Sequence, residues 1–337
     1  MPAPRTCTSN RFIDSDCKEG MLIAVFDVRA QFQAYDSGVC RGEHPVSHTI
    51  ATSDNDLQVS VQSLHVYPVK SCAGISLRES LLIETGLEFD RAWMVVEKHG
   101  QFVTQRHLPR MALIQPVLRS YEMILRAPGM LALHIALDTV EKPVRAKVWN
   151  DDVAAYDMGD LCAQWFSDFL GAKLRLVRFD PEQRRLSERR WTGTIEAANG
   201  FADAFPLLVT SAASMTELNR RLQAQGHAPV TMARFRPNLV LDGLDAHGED
   251  PLDEITIGTD EGAVRIKLVK PCARCPIPDV DPRTGVPGHE VGDALQAYRA
   301  DARLDGALTF GMNAVIVEGF ERNLRVGMTG NASYRFD

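Results

Sequence analysis

Leu268–Gly285 reads LVKPCARCPIPDVDPRTG, and the rest of the chain is read outward from it. A β-like apolar run, Val264 to Val269, reaches Lys270 and Pro271 and passes into Cys272 and Cys275, at C-x-x-C spacing with Arg274 between them. Pro276, Pro278 and the acid-rich turn DVDPRTG come next. Proline denies this segment a regular hydrogen-bonded backbone, which predicts a fixed loop leaving a strand end. A thiolate beside an arginine on a stiff loop suits soft-metal ligation or redox chemistry. The spacing alone leaves other readings open. A structural zinc site wants four ligands, yet there is no second C-x-x-C and His289 is the nearest histidine after the loop. A thioredoxin-like dithiol would open a helix, which Pro276 and Pro278 oppose. An inert, buried cysteine pair is the bland alternative.

Upstream, Ile255 to Ile257 and Val264 to Val269 predict a hairpin over TDEG that delivers the cysteine loop. Phe205 to Val209 reads as a strand entering Thr210 and Ser211. A helix follows, with Ser214 and Glu217 at capping-box spacing. RFRPNLVLDG adds a strand at Leu239 to Leu241; beyond the cysteines come a short helix near Ala294 to Arg299 and strands within Leu308 to Val317. Residues 201–335 therefore form one unit. A second unit occupies 57–180. Its first segment, LQVSVQSLHVYPVK from Leu57, alternates as a half-buried strand does. Short β-like runs follow at Leu81 to Ile83, Trp93 to Val96, Phe102 to Thr104, Met111 to Val117, Met123 to Leu125, Leu131 to Leu137, Val144 to Trp149, Val153 to Tyr156 and Leu174 to Phe179. One amphipathic helix interrupts them, with Leu161, Trp165 and Phe169 on one stripe and Gly171 at its end. So many short strands predict a mainly β chain of α+β character, built as two β-barrel-like units. The polar, arginine-rich residues 181–200 read as a linker or lid loop.

Residues 1–56 differ in character. They hold three of the seven cysteines, Cys7, Cys17 and Cys40, and a single apolar run, Met21 to Val28. They predict a poorly ordered extension, with a lid or partner-docking arm as the alternative. Bulk properties narrow the function classes. The 337 residues are 45% hydrophobic and 24% charged, so the chain is globular. Its net charge of −7 opposes general nucleic-acid binding. No apolar run approaches a membrane span and no export signal is visible. Seven cysteines without a regular framework fit a reducing compartment. A cytoplasmic protein with no nucleic-acid or membrane partner is expected. No P-loop or G-x-G-x-x-G appears.

Polar clusters sit at several predicted strand ends: Lys70-Ser71-Cys72, Asp90-Arg91, Thr104-Gln105-Arg106, Thr210-Ser211, Arg236-Pro237-Asn238 and Cys272 to Cys275. Singly, each reads as a solvated charge or a helix cap. Together, lysine and arginine beside hydroxyls would hold a phosphate. Asparagine, serine and threonine would satisfy the edge of a polar heterocycle, and one thiolate would complete a metal's coordination.

At these residues the sequence resembles a known family. VYPVKSCAGI, GLEFDRAWMVVEKHGQFVTQR, FADAFPLLVTSAASMTELN, RFRPNLVLDG and KPCARCPIPDVDPRTG look like the N-terminal β-barrel and catalytic domain of the MOSC superfamily, in the branch of the amidoxime-reducing component and its bacterial relatives. The resemblance covers about residues 57 to 335. It implies a pterin-dithiolene molybdenum cofactor and two-electron reduction of N-hydroxylated compounds such as amidoximes, hydroxylamines and N-oxides. By the same resemblance Cys275 matches the molybdenum-ligating cysteine, and Cys272 a companion that does not ligate. Lys70, Ser71, Arg91, Thr210, Ser211, Arg236, Asn238 and Arg274 match cofactor-binding positions. Asp279 and Asp281, next to the ligand loop, are candidate proton relays; a carboxylate there also commonly fixes a turn. Bacterial relatives often carry a ferredoxin-like domain and mitochondrial ones a targeting anchor, and this sequence resembles neither. The expected electron source is a separate flavin reductase, ferredoxin-like or haem protein. The competing expectation is a sulfur or molybdenum-cofactor carrier that hands its load on from Cys275.

Overall fold

The computed structural model describes residues 57–139 and 141–335. The expectations for residues 1–56, Met21 to Val28 among them, lie outside the described residues.

Alternation in Leu57–Val66 buries Val59, Val61, Leu64 and Val66. The phase slips between Val61 and Leu64 because Gln62 is skipped in the pairing with Leu239–Asp242, a β-bulge that returns Leu64 to the interior. This strand is one of seven that close a mixed barrel. The order is Leu207–Ser211, Leu239–Asp242, Leu57–Val66, Thr329–Tyr334, Leu252–Thr259, Gly262–Ala273 and Ala307–Glu318, with the last pairing back on the first. Its interior is aliphatic, with Val61, Leu64, Leu241, Ile255, Ile266 and Met312 all at most 1% exposed. Leu207–Ser211 and Leu239–Asp242 run parallel. A parallel pair needs a crossover, and the helix Ala212–Ala224 supplies it.

The second unit is a smaller ring. Trp93–Glu97, Leu174–Phe179, Asp151–Asp157 and Lys142–Val148 pair in that order. Gln101 then bridges Lys147, and Phe102 bridges Val96, which joins the two edges. Met94, Val96, Phe102, Val177, Phe179 and Phe201 fill it. The helix Gly159–Leu170 ends at Gly171, whose φ of +70° suits glycine. It packs Trp165, Phe166 and Phe169 against Trp93, Val95 and the small sheet that contains Met123 and Leu125. The chain is thus mainly β, with two barrel-like units and helices laid on them.

Local expectations shift in five places. Leu57–Val66 opens the 57–180 segment but pairs only within the larger barrel, with neighbours from 201–335 and its own short partner Ile75–Leu77. Residues 181–200 are packed: Arg189–Thr192 is a helical turn, Leu186 bridges Ala198, and Ser187, Ala197 and Asn199 are buried. Pro109–Leu113 is a 3₁₀ turn, so the strand expected from Met111 begins at Gln115. The late helix is Glu290–Gln296. Ser211, not Ser214, caps Ala212–Ala224, accepting a hydrogen bond from the Ala213 amide at 3.1 Å.

Candidate functional site

The strand Gly262–Ala273 runs through Pro271 to the end of the first cysteine pair member, kept in the sheet by bulges at Leu268/Lys270 and Pro271/Ala273. Cys272 is therefore a strand-end residue, and Cys275 follows in the loop before the 3₁₀ turn Ile277–Asp279. Both thiols are free and half-buried. They open onto a cleft of about 1060 Å³, counting its solvent-filled mouth.

Two parallel runs of backbone bring the opposite wall. The amide of Arg91 donates to Tyr67 O (3.0 Å), that of Trp93 to Pro68 O (2.9 Å) and that of Lys70 to Trp93 O (2.8 Å). This pairing delivers Lys70, Ser71 and Arg91 to the cleft together. Ser71, Arg91 and Arg236 all have left-handed φ angles, of +67°, +48° and +59°. Such angles cost a non-glycine residue about 1 kcal/mol or more and persist where the surroundings hold them. Holding contacts are present here. Arg91 Nη1 donates to Asp90 Oδ2 at 2.5 Å and its Nη2 to Arg236 O at 3.0 Å. Arg236 Nη1 donates to Cys72 O at 2.6 Å. The two guanidiniums sit over the Tyr67 ring, at 4.4 and 4.2 Å. Burial, then the neighbouring Arg91, lowers Arg236 to about 10. Burial pushes the Tyr67 phenol up to about 12, against both arginines.

Lys70 is 6% exposed and donates to Phe201 O at 2.7 Å and Asp203 Oδ1 at 2.6 Å. Burial lowers its pKa, with Asp203 pulling the other way. Asp203 lines the cleft with 64% of its side chain exposed, although protein atoms crowd around it. Enclosure alone would raise this carboxyl, but the Lys70 charge, the Lys70 hydrogen bond and the Trp149 indole N–H at 3.1 Å hold it well below the usual range. Among the lining residues, six cations (Lys70, Arg91, Arg106, Arg236, Lys270, Arg274) face one carboxylate, Asp203. Buried N–H groups on Arg106 and Arg274, both Nε, have no protein acceptor. The cleft is built for an anion with several acceptor atoms.

The structure brings together Lys70, Ser71, Arg91, Arg236, Asn238, Arg274 and Cys275. Arg274 Nη1 contacts Cys272 Sγ at 3.0 Å, and Nη2 donates to Phe235 O. Asn238 lines the wall but spends its amide on structure, accepting from the Leu208 amide and donating to His65 O. Four expected residues lie elsewhere. Thr210 is fully buried, with its hydroxyl against Met232 Sδ, and Ser211 is the helix cap already described. Asp279 Oδ1 accepts the Val291 and Gly292 amides, both at 2.9 Å. Asp281 accepts the Arg283 amide at 2.7 Å. These two carboxylates fix turns, and neither lines the cleft. Asp203, Lys270 and Asn313 were missed, while Arg106 and Thr104, from a polar cluster already singled out, join the lining without having been assigned a cofactor contact. Asp203 carried a faint signal, being the last charged residue before the apolar strand.

Residues 58–173 match the MOSC N-terminal beta barrel domain, and residues 196–329 match the MOSC domain. The chain is 35% identical over 252 residues to mitochondrial amidoxime reducing component 2 of Rattus norvegicus, across 71% of this chain and 72% of the relative. The chain belongs to the MOSC family. Mitochondrial amidoxime-reducing component 1 of Homo sapiens is 34% identical over 250 residues, covering 71% of this chain and 72% of that protein. Molybdenum cofactor sulfurase of Homo sapiens is 30% identical over 257 residues, which is 71% of this chain but 28% of that protein.

In this MOSC chain, no group of three His, Cys, Asp or Glu among the described residues could hold a metal ion. A metal taken by Cys275 would find at most one further such donor among the described residues, so most of its donors would come from elsewhere. No helix among the described residues is long and apolar enough to cross a membrane.

Proposed function

We propose that this MOSC protein binds a molybdenum cofactor of the molybdopterin type and reduces N-hydroxylated compounds, amidoximes among them. The observation that carries the reading is Cys275, a free thiol that belongs to no group of three metal-ligating side chains among the described residues, opening onto a cleft lined by six cations. A pterin-dithiolene cofactor is anionic, rich in acceptors and brings two sulfur donors of its own, which fits that donor set. Cys275 would ligate the metal, while Lys70, Arg91, Arg106, Arg236 and Arg274 would hold the phosphate and heterocycle. When bound, such a cofactor supplies two-electron removal of an oxygen atom from nitrogen.

The rest falls to the side chains. Converting N–OH to N–H and water consumes two protons with the two electrons. Lys70 Nζ, its pKa lowered by burial and held 2.6 Å from Asp203 Oδ1 at the cleft wall, is the group suited to give up a proton, with the Asp203 carboxylate keeping it charged and in place. This role moves to Lys70 from Asp279 and Asp281. The amidoxime-reducing relatives, matched over most of their length, support the reductase reading. A separate flavin reductase, ferredoxin-like or haem protein supplies the electrons in this proposal. The test is protein purified from a cofactor-competent host. It should carry stoichiometric molybdenum and reduce benzamidoxime with reduced viologen, but not with NADH alone. Zinc in place of molybdenum would sink the reading.

The sulfurase relative favours a second reading, cofactor or sulfur carriage from Cys275. Transfer of the cofactor to an apo-molybdoenzyme, without viologen-driven turnover, would select it.

A further inference from the structure

A linker or lid loop over 181–200 would leave its arginines, Arg184, Arg185, Arg189 and Arg190, open to solvent. Arg184 and Arg189 do lie exposed, each beside Glu196, at 3.4 and 3.3 Å, but Arg185 does not. Arg185 is 9% exposed and directed inward. Its Nε donates to Asp151 Oδ2 at 2.7 Å. Its Nη1 reaches Asn199 Oδ1 (2.5 Å), Gly200 O (3.1 Å) and Ala202 O (2.7 Å), and its Nη2 reaches Asp203 O (2.9 Å). Four of these five acceptors come from five consecutive residues. Three are backbone carbonyls converging on one cation, an arrangement whose dipoles would repel one another without it. The same loop turns the Phe201 carbonyl and the Asp203 carboxylate onto Lys70. It also supplies Ala202, Asp203 and Ala204 to the cleft wall.

We propose that Arg185 is a positioning residue: anchored by Asp151, it curls the Asn199–Asp203 loop into the shape that seats Asp203 and Lys70 against each other in the cleft. Arg185 does not line the cleft and acts through the loop's carbonyls, two of them on the wall residues Ala202 and Asp203. Losing it frees four acceptors and lets the loop relax outward. Lys70 then loses its two acceptors, and the Trp149 indole loses Asp203 Oδ1. The proposal rests on this cleft being the functional site, not on the reaction assigned to it.

The molecule carries its own reporter. Trp149 Nε1–H donates to Asp203 Oδ1, and the sequence has four tryptophans, so the Trp149 indole signal can be assigned in a ¹H–¹⁵N spectrum with Trp149→Phe. In the full chain, Arg185→Gln should move that signal toward its position in Asp203→Ala, with the other indole signals in place. Acylation of Lys70, followed by peptide mass spectrometry, should speed up several-fold. Arg185→Lys, which can still meet some carbonyls as a point charge, should restore part of both readouts. If Arg185→Gln does not fold, Asp151→Asn removes only the anchor, at a side chain 53% exposed, and should give a smaller shift in the same direction. A lowered melting temperature with the Trp149 signal and Lys70 labelling at their wild-type values would mean a purely structural role and overturn the proposal. Wild-type values in both Arg185→Lys and Asp151→Asn would also overturn it if Arg185→Gln fails to fold. None of these readouts needs cofactor or turnover, so the proposal can fail while the reductase reading stands.

Discussion

Glu249 gives a stability test with a defined sign. The residue is fully buried, and both carboxyl oxygens contact Ser214 Oγ, at 2.9 and 2.7 Å. A hydroxyl has one proton to give, so an ionised carboxylate leaves one oxygen facing a lone pair. A protonated carboxyl resolves the contact by donating back. Ser214 Oγ also accepts the His247 amide at 2.8 Å, so that hydroxyl is pinned. Burial pushes Glu249 from 4.5 up to about 7, against the Ser214 hydrogen bond. The folded chain thus keeps a proton that the unfolded chain releases above pH 4.5. Stability from this group is complete below pH 4.5 and is lost as the pH climbs to about 7. A shift of that size corresponds to about 3 kcal/mol. Gln, a neutral isostere of the protonated acid, escapes the loss. Glu249→Gln should match wild type at pH 4.5 and exceed it by about 2–3 kcal/mol at pH 8. His247, half-buried with its pKa lowered by burial to about 4, destabilises in the opposite direction as pH falls below 6.5. It is present in both proteins and cancels in their difference. Urea unfolding at pH 4.5, 6 and 8, with unchanged m values, reads the effect directly. A difference that stays flat across pH, or a Gln variant weaker at pH 8, would refute a neutral buried Glu249.

Cys275→Ser should abolish molybdenum retention and benzamidoxime turnover, because a hydroxyl is a harder, far less acidic ligand; Cys272→Ser should keep metal and most activity. Equal losses in metal analysis and turnover would point to a dithiol instead. Asp203→Asn removes the charge that lifts Lys70, so the lysine pKa should fall further below its ordinary value in a ¹⁵N titration of its Nζ; a rise would reverse the assigned balance of burial and pairing. Gly311→Ala should cost about 2 kcal/mol or more in denaturant unfolding, since φ is +76° and the new Cβ would lie 2.6 Å from Thr210 Cγ2 and 2.7 Å from Val209 O.

Much of this site was legible because strand ends can be read from composition. The polar clusters at Lys70, Arg91, Arg236 and Arg274 each follow or precede an apolar run, and four separate runs converge on one cleft. Convergence is what no local pattern carries. Leu57–Val66 alternates like any half-buried strand, but nothing in its own residues specifies Thr329–Tyr334, the far end of the chain, as a neighbour. That choice is made by closure, which leaves no edge of the seven-stranded ring unpaired.

The misses have the same origin one level down. Thr210 and Asn238 look equivalent in sequence, each polar beside a barrel strand. Val209 occupies the barrel interior, so the period-two rule turns Thr210 outward beneath the helix, against Met232. Asn238 lies just before its strand begins, free of that rule, and reaches the cleft wall. Ser211 is taken by the first helical turn. Asp203 belongs to a loop whose shape is held by a side chain eighteen residues earlier, so no window around it reveals its direction. Ser71, Arg91 and Arg236 reach their places through positive φ angles that neither serine nor arginine advertises. The chemistry of the cleft is therefore written in residue type at the strand ends. Its geometry is written in contacts between segments, of which the guanidinium of Arg185 is the clearest, because one side chain there substitutes for an entire turn's worth of hydrogen bonds.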